Sequence, residues 1–265
     1  MAIITPTDVF YHWILYGESG SGKSTTASTW PKPMIVFCFD PYGKEQPYLR
    51  RGAALGELMQ PEGGVPYQDV YNKKGEVIIR VEHYLDADPD DPKAYRVFRA
   101  RMAVFHTEYE TWRTAVVDSV TFMELAARKY EEKVLNPMPS GRSIAAKGEG
   151  FDIRKWWAGS TNALEEMLMM RFGSLPMNVV VCCHVDEVQD IVEGTMVRNP
   201  NAPGRLRKNL AAGFSELYRT FITRNDEGQR VYLMQTQGDN RYNAASQIEP
   251  PDPCEPHYAA LFSNV

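Results

Sequence analysis

The chain has little cysteine. Four residues, Cys38, Cys182, Cys183 and Cys254, occur among 265, and none stands in the CxxC or Cys/His spacing that would hold a metal or a redox pair. Three of them sit inside apolar, strand-like runs, so they are expected to be buried, reduced thiols that serve as small core residues. Positive charge is not in excess either. A net charge of -5 excludes a chain that traps nucleic acid by its overall field, and any nucleic-acid site must be a local patch. No apolar run approaches the roughly eighteen residues that a membrane helix needs, so no membrane span is expected. The opening MAIITPTDVFYHW has no basic segment followed by an apolar stretch and a cleavage site, which makes the cytoplasm the expected compartment. Internal repeats are missing as well. What is present is an ordinary globular balance, 43% apolar and 24% charged, in a chain long enough to bury a sizeable core as a single domain over 1–265.

Four short runs rich in β-branched and aromatic residues read as strands buried on both faces: HWILYG (12–17), MIVFCFD (34–40), TAVVDS (114–119) and NVVVCCH (178–184). YRTFIT (218–223) and RVYLMQT (230–236), joined by RNDEGQ, read as an antiparallel pair at the sheet edge. Helical patterns fall between the strands, over about 22–30, 92–112, 119–134 and 151–172. This alternation predicts an α/β fold, a mainly parallel sheet with helices on both faces. VPYQDVYNKKGEVIIRVEHY (65–84) reads as a hairpin inserted between the second and third core strands. Two long loops, 136–150 and 189–205, are rich in Gly, Pro, Ser or Asn and have the length of functional loops. Trp156 and Trp157 stand at helical spacing beside Phe151, Ala163 and Leu164, which places them in the core; the alternative is that they stack single-stranded bases.

The chemistry centres on GESGSGKST (17–25). It satisfies G-x-x-x-x-G-K-[ST] through Gly17, Gly22, Lys23 and Ser24, and it follows a predicted strand and opens a helix-compatible segment. Such a loop, here Gly17, Glu18, Ser19, Gly20, Ser21, Gly22, Lys23, Ser24 and Thr25, curls its backbone N–H groups around phosphate. Lys23 is expected to neutralise the β- and γ-phosphates of ATP, and Ser24 to ligate Mg²⁺. The metal also needs a carboxylate at the end of a neighbouring strand, and Asp118 closes TAVVD; an Asp capping the next helix would look the same. Hydrolysis further requires a group that orients or deprotonates water. Asp40 and Glu45 are the candidates, although Asp40 could instead start the turn DPYG. His184 closes NVVVCCH at the same sheet edge, either as a γ-phosphate contact or as an ordinary core-edge histidine.

In order, YGESGSGKSTTA, FCFDPYGKE, TAVVDSVTFMELAARKY and VVVCCHVDE resemble the motifs of RecA-type P-loop ATPases. With LRKNLAAGFSELYRTFIT and NRYNAASQI, most of the chain is similar to a phage-encoded branch of nucleotide-binding and single-strand annealing proteins. The resemblance implies a RecA-like core, ATP with Mg²⁺ bound between neighbouring subunits of a homo-oligomer, and work in DNA recombination or annealing in the host cytoplasm. Its implied partners are single-stranded DNA and a single-stranded-DNA-binding protein. Lys23, Ser24 and Asp118 match the family positions. Where RecA-like proteins place a water-activating Glu this chain has Tyr42, between Asp40 and Glu45, a departure that bears on hydrolysis. The strand ending in His184 matches the one that carries a polar γ-phosphate sensor. The loop after it corresponds to a DNA-binding loop and ends in Arg205, Arg207 and Lys208, which are candidates for phosphate-backbone contacts or a solvated helix start. Arg241 is a candidate arginine finger toward a neighbouring subunit, or a plain surface arginine. Two other readings of the same loop are a small-molecule phosphotransferase with RNPNAPGRLR as lid, and a nucleotide-gated binding module that barely hydrolyses ATP.

Overall fold

In the computed structural model, which describes residues 10–138, 152–189, 196–203 and 206–263, the apolar runs become the centre of a large sheet. In chain order the elements are β1 (His12–Gly17), α1 (Lys23–Ala27), β2 (Met34–Cys38), α2 (Gln46–Leu49), β3 (Ala54–Met59), β4 (Tyr67–Tyr71) and β5 (Val77–His83). There follow α3 (Ala94–Phe105), β6 (Thr114–Asp118), α4 (Val120–Tyr130), α5 (Arg154–Glu165), β7 (Asn178–Gln189), β8 (Met196–Pro200), α6 (Leu206–Gly213), β9 (Glu216–Arg224) and β10 (Arg230–Gln235). The strand order is β10-β9-β1-β7-β6-β2-β5-β4-β3, with β8 paired to β7. From β9 to β5 all neighbours are parallel, and both sheet edges are antiparallel.

Every residue of MIVFC and of TAVVD is buried, because the sheet is covered on both faces and neither side of these strands meets water. On one face, Ile14, Phe37, Val117 and Val181 pack with Phe98 and Phe105 of α3, Met123 of α4, Leu164 of α5 and Leu210 of α6. Phe37 is the hub: its ring meets Phe98, Phe105 and Phe172 edge-on at 5.7, 5.3 and 5.5 Å, a geometry that matches ring quadrupoles. The opposite face packs Trp13, Val36, Val116 and Val180 against Ala27, Trp30 and Tyr48, and against Leu261 of the C-terminal segment. All four cysteines are buried and free, as their apolar surroundings suggested. No described helix is long and apolar enough to cross a membrane.

Two expectations need correction. The segment 65–84 does form the hairpin β4–β5, but β5 pairs parallel with β2 along Met34↔Ile79 to Cys38↔His83. It is therefore a strand of the central sheet, held by the buried Ile79 and Val81, and β3 widens the antiparallel flank beyond it. Nor do the two tryptophans enter the core. Trp157 is 45% exposed, with the Arg128 guanidinium 4.3 Å from its ring centroid, and Trp156 Nε1 donates to the Asn136 carbonyl at 2.8 Å. The apolar stripe of α5 that actually reaches the core runs through Leu164, with Ala163 packed beside it. A further difference is length: β7 continues past His184 to Gln189, and β8 pairs antiparallel with this extension.

Candidate nucleotide site

β1 and β2 are separated in the sheet by β7 and β6. The loop after β1 therefore lies beside the carboxyl ends of β6 and β7, which is where open parallel sheets hold ligands. Gly17 ends β1 where no side chain fits: a Cβ there would lie 2.3 Å from the Thr220 carbonyl oxygen and 2.7 Å from Ser21 Oγ. Gly22 has φ +95°, a left-handed conformation that glycine adopts freely, and it turns the chain into α1. Between them Ser21 N–H closes a turn onto the Glu18 carbonyl at 3.1 Å, and Ser21 Oγ bonds Thr220 Oγ1 at 2.8 Å. Lys23 is 8% exposed, and its Nζ donates to the carbonyls of Gly17 and Glu18, both at 2.9 Å. Glu18, Ser19, Gly20 and Thr25 complete the loop, with Ser19, Gly20, Ser24 and Thr25 lining a cleft of about 570 Å³, a size suited to a nucleotide.

Asp118 reaches this cleft from the end of β6 and is 2% exposed. Burial, with the nearby Asp40 carboxylate adding to it, pushes its carboxyl up to about 6; the hydroxyls of Ser24 and Tyr48 and the charge of Lys23 oppose the rise. Tyr48 Oη donates to Asp118 Oδ2 at 2.8 Å. A carboxylate held so dry beside a serine hydroxyl is the oxygen donor set of a hard cation, so Ser24 and Asp118 fit Mg²⁺. Asp40 lines the same cleft, and its Oδ1 accepts from Ser119 Oγ at 2.6 Å. Glu45 does not face the cleft. It is buried, and its Oε2 accepts from the Gly43 N–H at 2.6 Å, so Asp40 and Asp118 are the carboxylates that line the cleft. Tyr42 is exposed beside the His83 ring.

His184 lines the cleft from β7. Burial first, then the charge of Lys23, depresses its pKa below the usual histidine value, so the ring is neutral at pH 7. Its backbone is held from two sides, by its own N–H to Thr121 Oγ1 at 3.4 Å and by the Asn201 N–H to its carbonyl at 2.7 Å. The remaining expected residues lie elsewhere. Arg241 is exposed in the loop after β10, outside the cleft, in a turn pinned by Asp239 Oδ1 at 2.7 Å. Arg207 pairs with Asp186. Arg205 and the side chain of Lys208 lie outside the described residues.

Sequence reasoning missed Tyr232 and Pro256, which close the cleft over the loop. Tyr232 is 43% exposed, and its Cδ1 would sit 3.2 Å from a Cβ at Gly22. Nothing in the sequence marks either one, because the place of the β9–β10 pair beside β1 and the course of the C-terminal segment are set by long-range packing. An exposed aromatic ring at the rim of a phosphate site suits a nucleotide base. Tyr232→Ala should weaken ATP binding by about tenfold while Tyr232→Phe stays near the parent, a difference that a nucleotide titration reads directly.

A family model described as AAA domain matches residues 10–246. Among solved structures the chain is similar to the flagellar accessory protein FlaH from Methanocaldococcus jannaschii, at 11% identity over 88% of this chain and 79% of that one, with a TM-score of 0.40. It is also similar to a KaiC-like protein from Pyrococcus horikoshii, at 10% identity over 89% and 82% of the two chains, with a TM-score of 0.35. The ATPase DotB from Legionella pneumophila is similar at 10% identity over 85% of this chain and 44% of that one, with a TM-score of 0.31. No curated protein sequence matches the chain.

Proposed function

The chain belongs to the AAA-domain family, and from that premise we propose that it is a Mg²⁺-dependent ATPase that acts on single-stranded DNA, in recombination or strand annealing, as a homo-oligomer. The observation that carries the ATPase half is the meeting of Lys23, Ser24, Asp40, Asp118 and His184 in one cleft. Lys23 and the loop N–H groups bind and orient the phosphates. Mg²⁺, held by Ser24 and Asp118, would supply charge neutralisation. Asp40 accepts the proton of the water that attacks the γ-phosphorus, as the bond to the β–γ bridging oxygen breaks and ADP leaves. Neutral His184 can donate to a γ-phosphate oxygen and exchange that bond when the phosphate departs.

The nucleic-acid half is supported by the motif order quoted above. A nucleotide-gated module with slow turnover is the second reading, favoured by Tyr42 standing where RecA-like proteins place a water-activating Glu. ATP turnover measured with and without single-stranded DNA separates the two. Stimulation of several-fold or more is the expected result. Turnover that ignores DNA while a small-molecule acceptor becomes phosphorylated would replace the proposal with a phosphotransferase; tight ATP binding with neither response would favour the gated module.

A further inference from the structure

The two carboxylates of the nucleotide cleft come from neighbouring strands, and each is held by a hydroxyl from the other's segment. Asp40 follows β2 and Asp118 ends β6, strands that run parallel with Cys38 opposite Asp118. The Phe39 N–H donates to the Asp118 carbonyl at 2.7 Å, which ties the two strand ends together. Ser119, next to Asp118, donates from its Oγ to Asp40 Oδ1 at 2.6 Å. In return Tyr48 of α2, in the segment that follows Asp40, donates from its Oη to Asp118 Oδ2 at 2.8 Å.

Tyr48 has no exposed surface and belongs to the apolar cluster of Trp30, Val36 and Val81. The turn that delivers it is closed on itself: Glu45 Oε2 accepts from the Gly43 N–H at 2.6 Å, and the Glu45 carbonyl accepts from the Tyr48 N–H at 2.9 Å. A ring so fixed cannot follow a moving partner, so the carboxylate takes its orientation from the tyrosine. Mg²⁺ demands near-ideal geometry of its ligands, and hydrogen bonds that hold a ligating carboxylate carry about 10- to 100-fold of metal affinity. We propose that Tyr48 is a positioning residue for Mg²⁺, holding Asp118 Oδ2 so that Oδ1 is presented to the cation beside the Ser24 hydroxyl. Tyr48 does not line the cleft; it acts through Asp118. The inference rests on the Mg²⁺-ATP reading above and names what orients its metal carboxylate. A bond that merely satisfied a buried phenol would affect stability and leave the cation requirement as it is.

The test is calorimetric titration of ATP into the 265-residue chain at a series of Mg²⁺ concentrations and again after chelation, for the parent and for Tyr48→Phe, which keeps the ring and removes only the hydroxyl. ATP affinity without Mg²⁺ should be the same in both. The Mg²⁺ concentration needed for tight binding should rise about 10- to 100-fold in Tyr48→Phe. In an Asp118→Asn background the same substitution should add no further rise, because the two residues act as one unit. A parental Mg²⁺ requirement in Tyr48→Phe, even in a protein that melts at a lower temperature, would overturn the proposal. Equal weakening with and without Mg²⁺, or a full additional effect on top of Asp118→Asn, would overturn it too. A parent whose ATP binding ignores Mg²⁺ would overturn the metal reading along with it.

Discussion

Lys23→Ala should abolish ATP turnover, with a loss on the order of 10²- to 10³-fold or more. Two effects combine. The ammonium that meets the phosphates disappears, and the Gly17 and Glu18 carbonyls that it now holds at 2.9 Å lose their partner inside a loop whose shape is the binding site. Leaving such groups unpaired costs on the order of 1–3 kcal/mol, so the variant should also melt at a lower temperature. Lys23→Met keeps most of the buried stem but pairs neither carbonyl, so it should recover only the packing part of the thermal stability and none of the activity. Phosphate release and thermal unfolding on the same preparations read both.

Asp118→Asn should move stability and function in opposite directions. Its carboxyl is pushed up to about 6 by burial and by Asp40, which means that the folded state penalises its charge. The sign follows from the shift. Below the unfolded value near 4 the group is neutral in both states and no penalty exists; the penalty grows as pH rises through 6 and is complete by pH 8. Asparagine carries no charge and can still accept from Tyr48. The ligand-free variant should therefore be more stable than the parent by up to about 3 kcal/mol at pH 8, with the difference vanishing near pH 3. Its Mg²⁺-dependent nucleotide affinity should fall on the order of 10- to 100-fold. A variant that is both less stable at pH 8 and unimpaired in Mg²⁺-ATP binding would remove Asp118 from the metal site.

The parts of the site that were legible in the sequence are those that depend on one strand and the loop after it. GESGSGKS after HWILYG, and a lone Asp after TAVV, place a phosphate loop and a carboxylate at one sheet edge whatever the rest of the fold does. The four buried core strands were legible for the same reason, since a strand covered on both faces has no polar side to confuse its pattern. What depends on long-range packing was hidden. The ring of Tyr232 reaches the cleft only because the β9–β10 pair, itself legible, lies beside β1, and β5 belongs to the central sheet only because Ile79 and Val81 find β2. The tryptophans misled because helical spacing says which residues share a face, not which face meets the core; Leu164 decided that for α5. Glu45, close after Asp40, looked available as a base for water, but its carboxylate accepts from the Gly43 N–H in its own turn instead.

The account stands or falls on Mg²⁺-ATP at the cleft between β1, β6 and β7. ATP binding by this 265-residue chain should be titrated calorimetrically with Mg²⁺ and again after chelation, with ADP release followed in parallel. Binding that is tight with Mg²⁺, much weaker without it and followed by ADP release is the predicted result. Binding that is indifferent to Mg²⁺ and unchanged by Lys23→Ala would contradict it.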